Sequence, residues 1–362
     1  NIMAGVCSVT KKYVSSKVKV VRWKPATTDF GKTNSFVTGS WDDTVEDTCN
    51  PQKNNELWRF PSKEDSLGLV SRLRQAALHN SVCPHQYTTR DSFAVGDGHG
   101  NVSIYCHIDS THLQKKTQWD KVHKFEYGLA PSCALATNGD QIASVGEDGK
   151  LVILNCSHSQ PQRIIDSVGR CSLYSVVYVR SNEVVTGNQQ GHLKLWDLRS
   201  QQPAKNTLLS PDQISVTYLC GHPSQAHLIA AGGEDGALAL WDMRNTQQPV
   251  TIIAAHEAPI SEVRFHPSAP EHLFTCGMDG QILHWDASSA ARSSNPLHRQ
   301  TTDTGSSVNV WLSADVARGV IDTSAVIPTS PLPINSLDVE GPTLLAASDN
   351  EAIYAVRQVL LL

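Results

Sequence analysis

The chain has no C-x-x-C pair, and its nine cysteines are odd in number. Neither a zinc ribbon nor a closed disulfide framework is expected from that, and the cysteines read as buried, reduced thiols. Cys83-Pro84-His85, with His79 near it, has no second ligand pair, so no metal and no cofactor is expected. A basic block of five or more is also missing: 30 Lys and Arg stand against 35 Asp and Glu, for a net charge of -5. Direct nucleic-acid binding is not expected on that balance. No apolar run approaches the ~18 residues of a membrane span, so no membrane insertion is expected. The opening NIMAGVCSVTKK places its lysines after its apolar stretch, the reverse of a secretory leader. What remains is 362 residues with 40% apolar content, enough for a substantial core.

A recurring unit organises the chain. Small residues lead into a turn ending in Gly, then alternating apolar residues, then an aromatic or apolar residue five places beyond that Gly. The copies are AVGDGHGNVSIY, SVGEDGKLVIL, VTGNQQGHLKLWDLR, AAGGEDGALALWDMR and TCGMDGQILHWDAS, with turn glycines at Gly100, Gly149, Gly191, Gly236 and Gly280. Asp-Gly between two alternating runs is a hairpin signal, because tight primed turns need positive φ. Asp148-Gly149, Asp235-Gly236 and Asp279-Gly280 are therefore each expected to join two strands.

Two weaker copies extend the series. VVRWKP, SFVTGSWDD and NNELWRF read as three strands of a first unit, with a polar insertion from Asp42 to Asn54. PINSLDVE and TLLAASDNEAIYAVRQ read as three strands of a last unit, with Glu351 at the turn-glycine position. Seven units of about 46 residues match propeller blades. The expectation is an all-β, seven-bladed WD-repeat β-propeller forming one domain over residues 1–362. Segment 287–323 is set aside as a mainly mobile insertion between blades six and seven, since nine of the twenty residues Ser288 to Ser307 are Ser or Thr. An unpaired last edge would be a liability, so Lys11 to Ser15 is expected to supply the outer strand of the last blade.

Three patterns look like chemistry. ATTDFGKT, Ala26 to Thr33, fits a relaxed P-loop, but it follows a strand pattern and enters another, with no helix to receive phosphate; it reads as a connecting loop. His256, Thr275, Asp279 and Trp285 could suggest a hydrolase triad. They stand instead where WD-repeat proteins place a buried structural tetrad, so no catalytic residue and no enzyme activity is expected. The set is incomplete elsewhere: Ala231 replaces the hydroxyl in the fifth unit, Gln190 the Asp in the fourth, and Leu154 the Trp in the third. Trp196-Asp197-Leu198-Arg199 and Trp241-Asp242-Met243-Arg244 are paired W-D-x-R boxes. They resemble the adaptor-docking element of cullin-4 ubiquitin-ligase substrate receptors, which gives an alternative reading of function.

VSSKVKVVRWKPA, FVTGSWDD, SVGEDGKL, SVNVWLS, LPINSLDVEGPTLLAASDNEAIY and, above all, AAHEAPISEVRFHPSAPEHLFTCGMDGQILHWDAS resemble the nucleoporin 43 family. These are small WD-repeat subunits of the Y-shaped outer-ring complex of the nuclear pore. The resemblance covers nearly the whole chain. It implies a non-enzymatic scaffold held by a helical-solenoid nucleoporin on the short arm of the Y-complex, beside other Y-complex subunits. It further implies location at the nuclear pore in the nuclear envelope, support of pore assembly, mRNA export and protein transport, and a kinetochore role in chromosome segregation. The absence of Phe-Gly repeats fits a scaffold.

Overall fold

The computed structural model describes residues 8–14, 17–23, 35–40, 54–59, 68–74, 79–87, 90–107, 113–166, 171–200, 206–209, 213–245, 248–289, 309–313, 316, 318 and 321–360. The P-loop-like stretch and the polar insertion that ends at Asn54 lie outside these residues, except for Asn54 itself. So do residues 290–308 of the Ser/Thr-rich segment and the side chains of His79, Cys83 and His85.

Among the described residues the alternating segments pair into seven four-stranded antiparallel sheets and one two-stranded ribbon. Six sheets each use four strands consecutive in the chain. The third, for example, is Ser132–Asn138, Gln141–Gly146, Lys150–Asn155 and Arg163–Asp166. The seventh combines Ile334–Glu340, Thr343–Ser348 and Ala352–Arg357 with Ser8–Tyr13 from the opposite end of the chain. Lys11 faces Tyr354 in that pairing, with its ammonium 5.1 Å from the Tyr354 ring centre. The N-terminal strand thus begins three residues earlier than expected and ends at Tyr13. Val14 then donates its N–H to the Glu351 carbonyl (2.8 Å) and turns the chain inward; Ser15 lies outside the described residues.

Side-chain period explains how the sheets stack. In the fourth sheet Leu193 and Leu195 face the fifth sheet, while Trp196 faces back towards the third. One sheet on, Leu238 and Leu240 face the sixth sheet and Trp241 faces back to the fourth. Every neighbouring pair of sheets encloses one such apolar cluster. The cluster holding Val21, Phe36, Leu345 and Ile353 joins the seventh sheet to the first, so the circle closes.

Segment 287–323 is part of this core at its C-terminal end. Asp322–Ala325 is the outer strand of the sixth sheet. Before it, a short 3-10 turn, Val310–Leu312, is capped by Asn309 and buries Trp311 completely. The Trp311 indole N–H donates to the Pro270 carbonyl (2.7 Å), and the ring meets Phe265 edge-on. The boundary of the insertion therefore moves: SVNVWLS carries an apolar anchor, which its Ser/Thr-rich surroundings hide.

Antiparallel pairing also fixes the two rims of the circle. Turns between second and third strands emerge on the same rim as the connections leading from one sheet to the next. The connections between first and second strands, and between third and fourth, emerge on the other rim.

Candidate functional site

The sixth sheet brings His256, Thr275, Asp279 and Trp285 together. His256 Nδ1 lies 3.0 Å from the Asp279 carboxylate, its Nε2 lies 2.8 Å from Thr275 Oγ1, and the Trp285 indole N–H donates to the same Oγ1 at 3.0 Å. The chemistry fixes the direction of each bond. A carboxylate can only accept, so Nδ1 carries the proton, Nε2 accepts from the Thr275 hydroxyl, and that oxygen accepts from Trp285. Burial pushes the His256 imidazole below its ordinary value, which suits a neutral ring. Thr275 is 0% exposed and its single proton is committed to the histidine. A nucleophile needs access to substrate, and this hydroxyl has none. The arrangement ties a turn, a loop and two strands together.

The third sheet holds a shortened version. His123 Nδ1 is 2.9 Å from Asp148 and its Nε2 is 2.8 Å from Ser144 Oγ, with Leu154 where the tryptophan would stand. Burial raises the pKa of the Asp148 carboxyl, but hydrogen bonds from His123 and from the Lys124 and Lys150 amides outweigh it, so that pKa lies below the ordinary carboxylate range. His123 was hidden in the sequence by distance. It stands nine residues before its strand at Ser132, whereas His256 stands four before Ile260. The fourth sheet keeps only Trp196 on Thr186 (2.8 Å). There Asn188, not Gln190, caps the turn by accepting from the Gln190 and His192 amides. The fifth sheet buries Trp241 beside Ala231, and Asp235 caps its turn through the Ala237 amide.

Gly149, Gly236 and Gly280 all sit at positive φ, +73°, +82° and +76°. At Gly236 a Cβ would collide with the His256 carbonyl oxygen.

The W-D-x-R boxes lie on the opposite rim. Both indoles are buried, and the exposed members of the boxes are Arg199 and Arg244. The Arg199 guanidinium pairs with Asp197 (3.1 Å) and that of Arg244 with Asp242 through the same fork. Each arginine is folded onto its own box.

One cluster was not legible in the sequence. The Glu262 carboxylate accepts from Arg22 (2.8 Å), Arg264 (2.8 Å), the Tyr218 hydroxyl (2.6 Å), Ser336 Oγ (2.7 Å) and the Leu337 amide (3.2 Å). These residues come from first strands of the first, fifth, sixth and seventh sheets. Burial alone would raise Glu262, yet the two guanidiniums hold it below the ordinary range; burial raises the Tyr218 hydroxyl. Arg22, Tyr218 and Glu262 also line a central channel of about 440 Å³, together with Lys19, Cys133 and Glu147. Cys106, Cys133, Cys171, Cys220 and Cys276 carry free thiols, and burial pushes the Cys133 thiol up to about 12.

Sheets stacked in a circle around a channel, tetrad and all, define a WD40 β-propeller. The family described as WD40, WD domain, G-beta repeat matches residues 247–286, which include the complete tetrad. The crystal structure of the WD40 beta propeller domain of Doa1 superposes with a TM-score of 0.66 at 14% identity, over 97% of this chain and 96% of that one. Among curated relatives, mouse nucleoporin Nup43 is 34% identical over 96% of this chain and 98% of its own length. Human Nup43 is 33% identical with the same coverage. A nuclear pore complex protein nup43 from Dictyostelium discoideum is 29% identical over 40% of the chain and 34% of its own length. The chain belongs to the Nup43 family of nucleoporins.

Proposed function

We propose that this protein is a non-enzymatic scaffold subunit of the nuclear pore's Y-shaped outer-ring complex. In this reading it is a closed seven-bladed ring held by a helical-solenoid nucleoporin of the short arm. It supports pore assembly, mRNA export and protein transport in interphase and serves at kinetochores in mitosis. The observation that carries the reading is likeness to nucleoporins along the whole chain, including the blades whose tetrads have decayed. The polar groups that could suggest catalysis are consumed in holding turns and strands, which leaves a rigid disc whose loops meet partners. The cullin-4 alternative gains no support from geometry, because Arg199 and Arg244 are each paired within their own boxes. A fluorescent fusion expressed from the native locus tests the proposal. A punctate nuclear rim in interphase and paired chromosomal foci in mitosis are expected; a diffuse signal at both stages contradicts it.

A further inference from the structure

The connection between the second and third sheets carries something the corresponding connection before the sixth sheet lacks. Between His123 and Ser132 the chain forms a small two-stranded ribbon, with Lys124 opposite Leu129 and Phe125 opposite Gly128. Three apolar side chains stand out from it: Phe125 is 45% exposed, Leu129 47% and Tyr127, at the tip, 93%. Both ends of the ribbon are fixed. His123 is locked to Asp148 and Ser144, the Lys124 amide donates to Asp148 Oδ2 (3.1 Å), and Ala130 is fully buried. The knob is therefore held rigidly, so little freedom is lost when a partner covers it. Exposed Tyr and Phe on a fixed support have the composition of a binding hot spot.

Charge on the same rim selects the occupant. Glu126 sits between the aromatics, and Glu234, Glu257 and Glu351 are exposed at the turns and connections of the fifth, sixth and seventh sheets. Against them, among the described residues of this rim, stand Lys121, Lys124 and the half-buried Lys17 and Lys150. The carboxylates disfavour an anionic lipid surface and favour a basic protein partner.

We propose that this rim is the docking surface for the helical-solenoid partner. Phe125, Tyr127 and Leu129 would enter an apolar groove between two helices whose borders carry Lys or Arg. This rests on the scaffold reading above and adds to it the surface and the chemistry of the partner.

The test uses the full-length chain and, as probe, a purified outer-ring subcomplex assembled without this subunit. Binding is measured for the wild type, Phe125→Ser/Tyr127→Ser, Glu234→Lys/Glu257→Lys, and the opposite-rim pair Arg199→Ala/Arg244→Ala; melting curves check each fold. Photoreactive benzoylphenylalanine at position 127 identifies what the tip touches. Expected are a loss of about tenfold or more for Phe125→Ser/Tyr127→Ser, a smaller loss for the charge reversals, unchanged binding for the arginine pair, and cross-linking to a helical subunit. Equal binding by wild type and Phe125→Ser/Tyr127→Ser overturns the surface while leaving the scaffold reading intact, as does a cross-link only to a second copy or to lipid. If the wild type itself does not bind, both readings fall.

Discussion

Arg22 and Glu262, 240 positions apart in the chain, form an ion pair of 2.8 Å whose side chains are only 9% and 2% exposed. The pair joins the first sheet to the sixth across the first strand of the seventh, and Ser336 of that strand bonds both partners. Removing Glu262 leaves two buried guanidiniums without their shared carboxylate, at a cost of about 3–5 kcal/mol, whereas removing Arg22 leaves Glu262 still paired with Arg264. Glu262→Gln is expected to lower stability on that scale, and Arg22→Met by less. The double variant should lose markedly less than the sum, which a double-mutant cycle in urea reads out. Additive losses would mean that the two charges do not stabilise one another.

The N-terminal strand closes the seventh sheet. Removing residues 1–14 strips all six paired positions from Ala352–Arg357 and uncovers an edge between two buried sheet interfaces. A melting temperature lowered by several degrees is expected, with concentration-dependent association through the bare edge. An unchanged melting temperature would show that the strand is an ornament of the ring.

At the last turn Glu351 occupies the position held elsewhere by glycine and adopts φ +58°. A side chain in that region costs roughly 1–2 kcal/mol, offset in part by the greater chain freedom that glycine loses on folding, roughly 0.5–1 kcal/mol. Glu351→Gly is therefore expected to be neutral or to stabilise slightly. Gly236→Ala should be strongly destabilising, because its Cβ meets backbone rather than a movable side chain. Chemical denaturation of the two variants compares them directly.

Acid should loosen the fifth and sixth sheets. Burial lowers the imidazoles of His222 and His284, each to about 4, from an ordinary value near 6.5. His222 packs against Phe265 and His284 stacks on Phe274. A group whose folded value is depressed contributes stability that is present above its unfolded value and is lost as pH falls towards the folded one. The melting temperature should therefore drop between about pH 6.5 and pH 4. His284→Phe should flatten that slope if it is tolerated on the Phe274 ring, and the same slope in wild type and variant would assign the acid sensitivity elsewhere.

Local rules carried much of this architecture. Asp-Gly turns, period-two runs and the spacing of Gly149, Gly236 and Gly280 are properties of short segments, and each appears in the structure where its segment stands. The tetrad geometry follows equally from His256, Thr275, Asp279 and Trp285. What stayed hidden depends on distance or on an insertion. Glu262 has partners more than 40 residues away on several strands, so no window contains its cluster. His123 is separated from its strand by the ribbon it anchors, and Trp311 sits beside a segment whose composition reads as loop. The start of the N-terminal strand was misplaced because an exposed outer strand such as Ser8–Tyr13 has only a weak hydrophobic alternation.

The scaffold account is tested most directly by the stoichiometry of the tagged full-length chain purified from interphase cells, measured by quantitative mass spectrometry. Outer-ring nucleoporins are expected near one-to-one with it, and unchanged by Arg199→Ala/Arg244→Ala. Recovery of a ubiquitin-ligase adaptor in their place, lost with those two substitutions, would contradict the account.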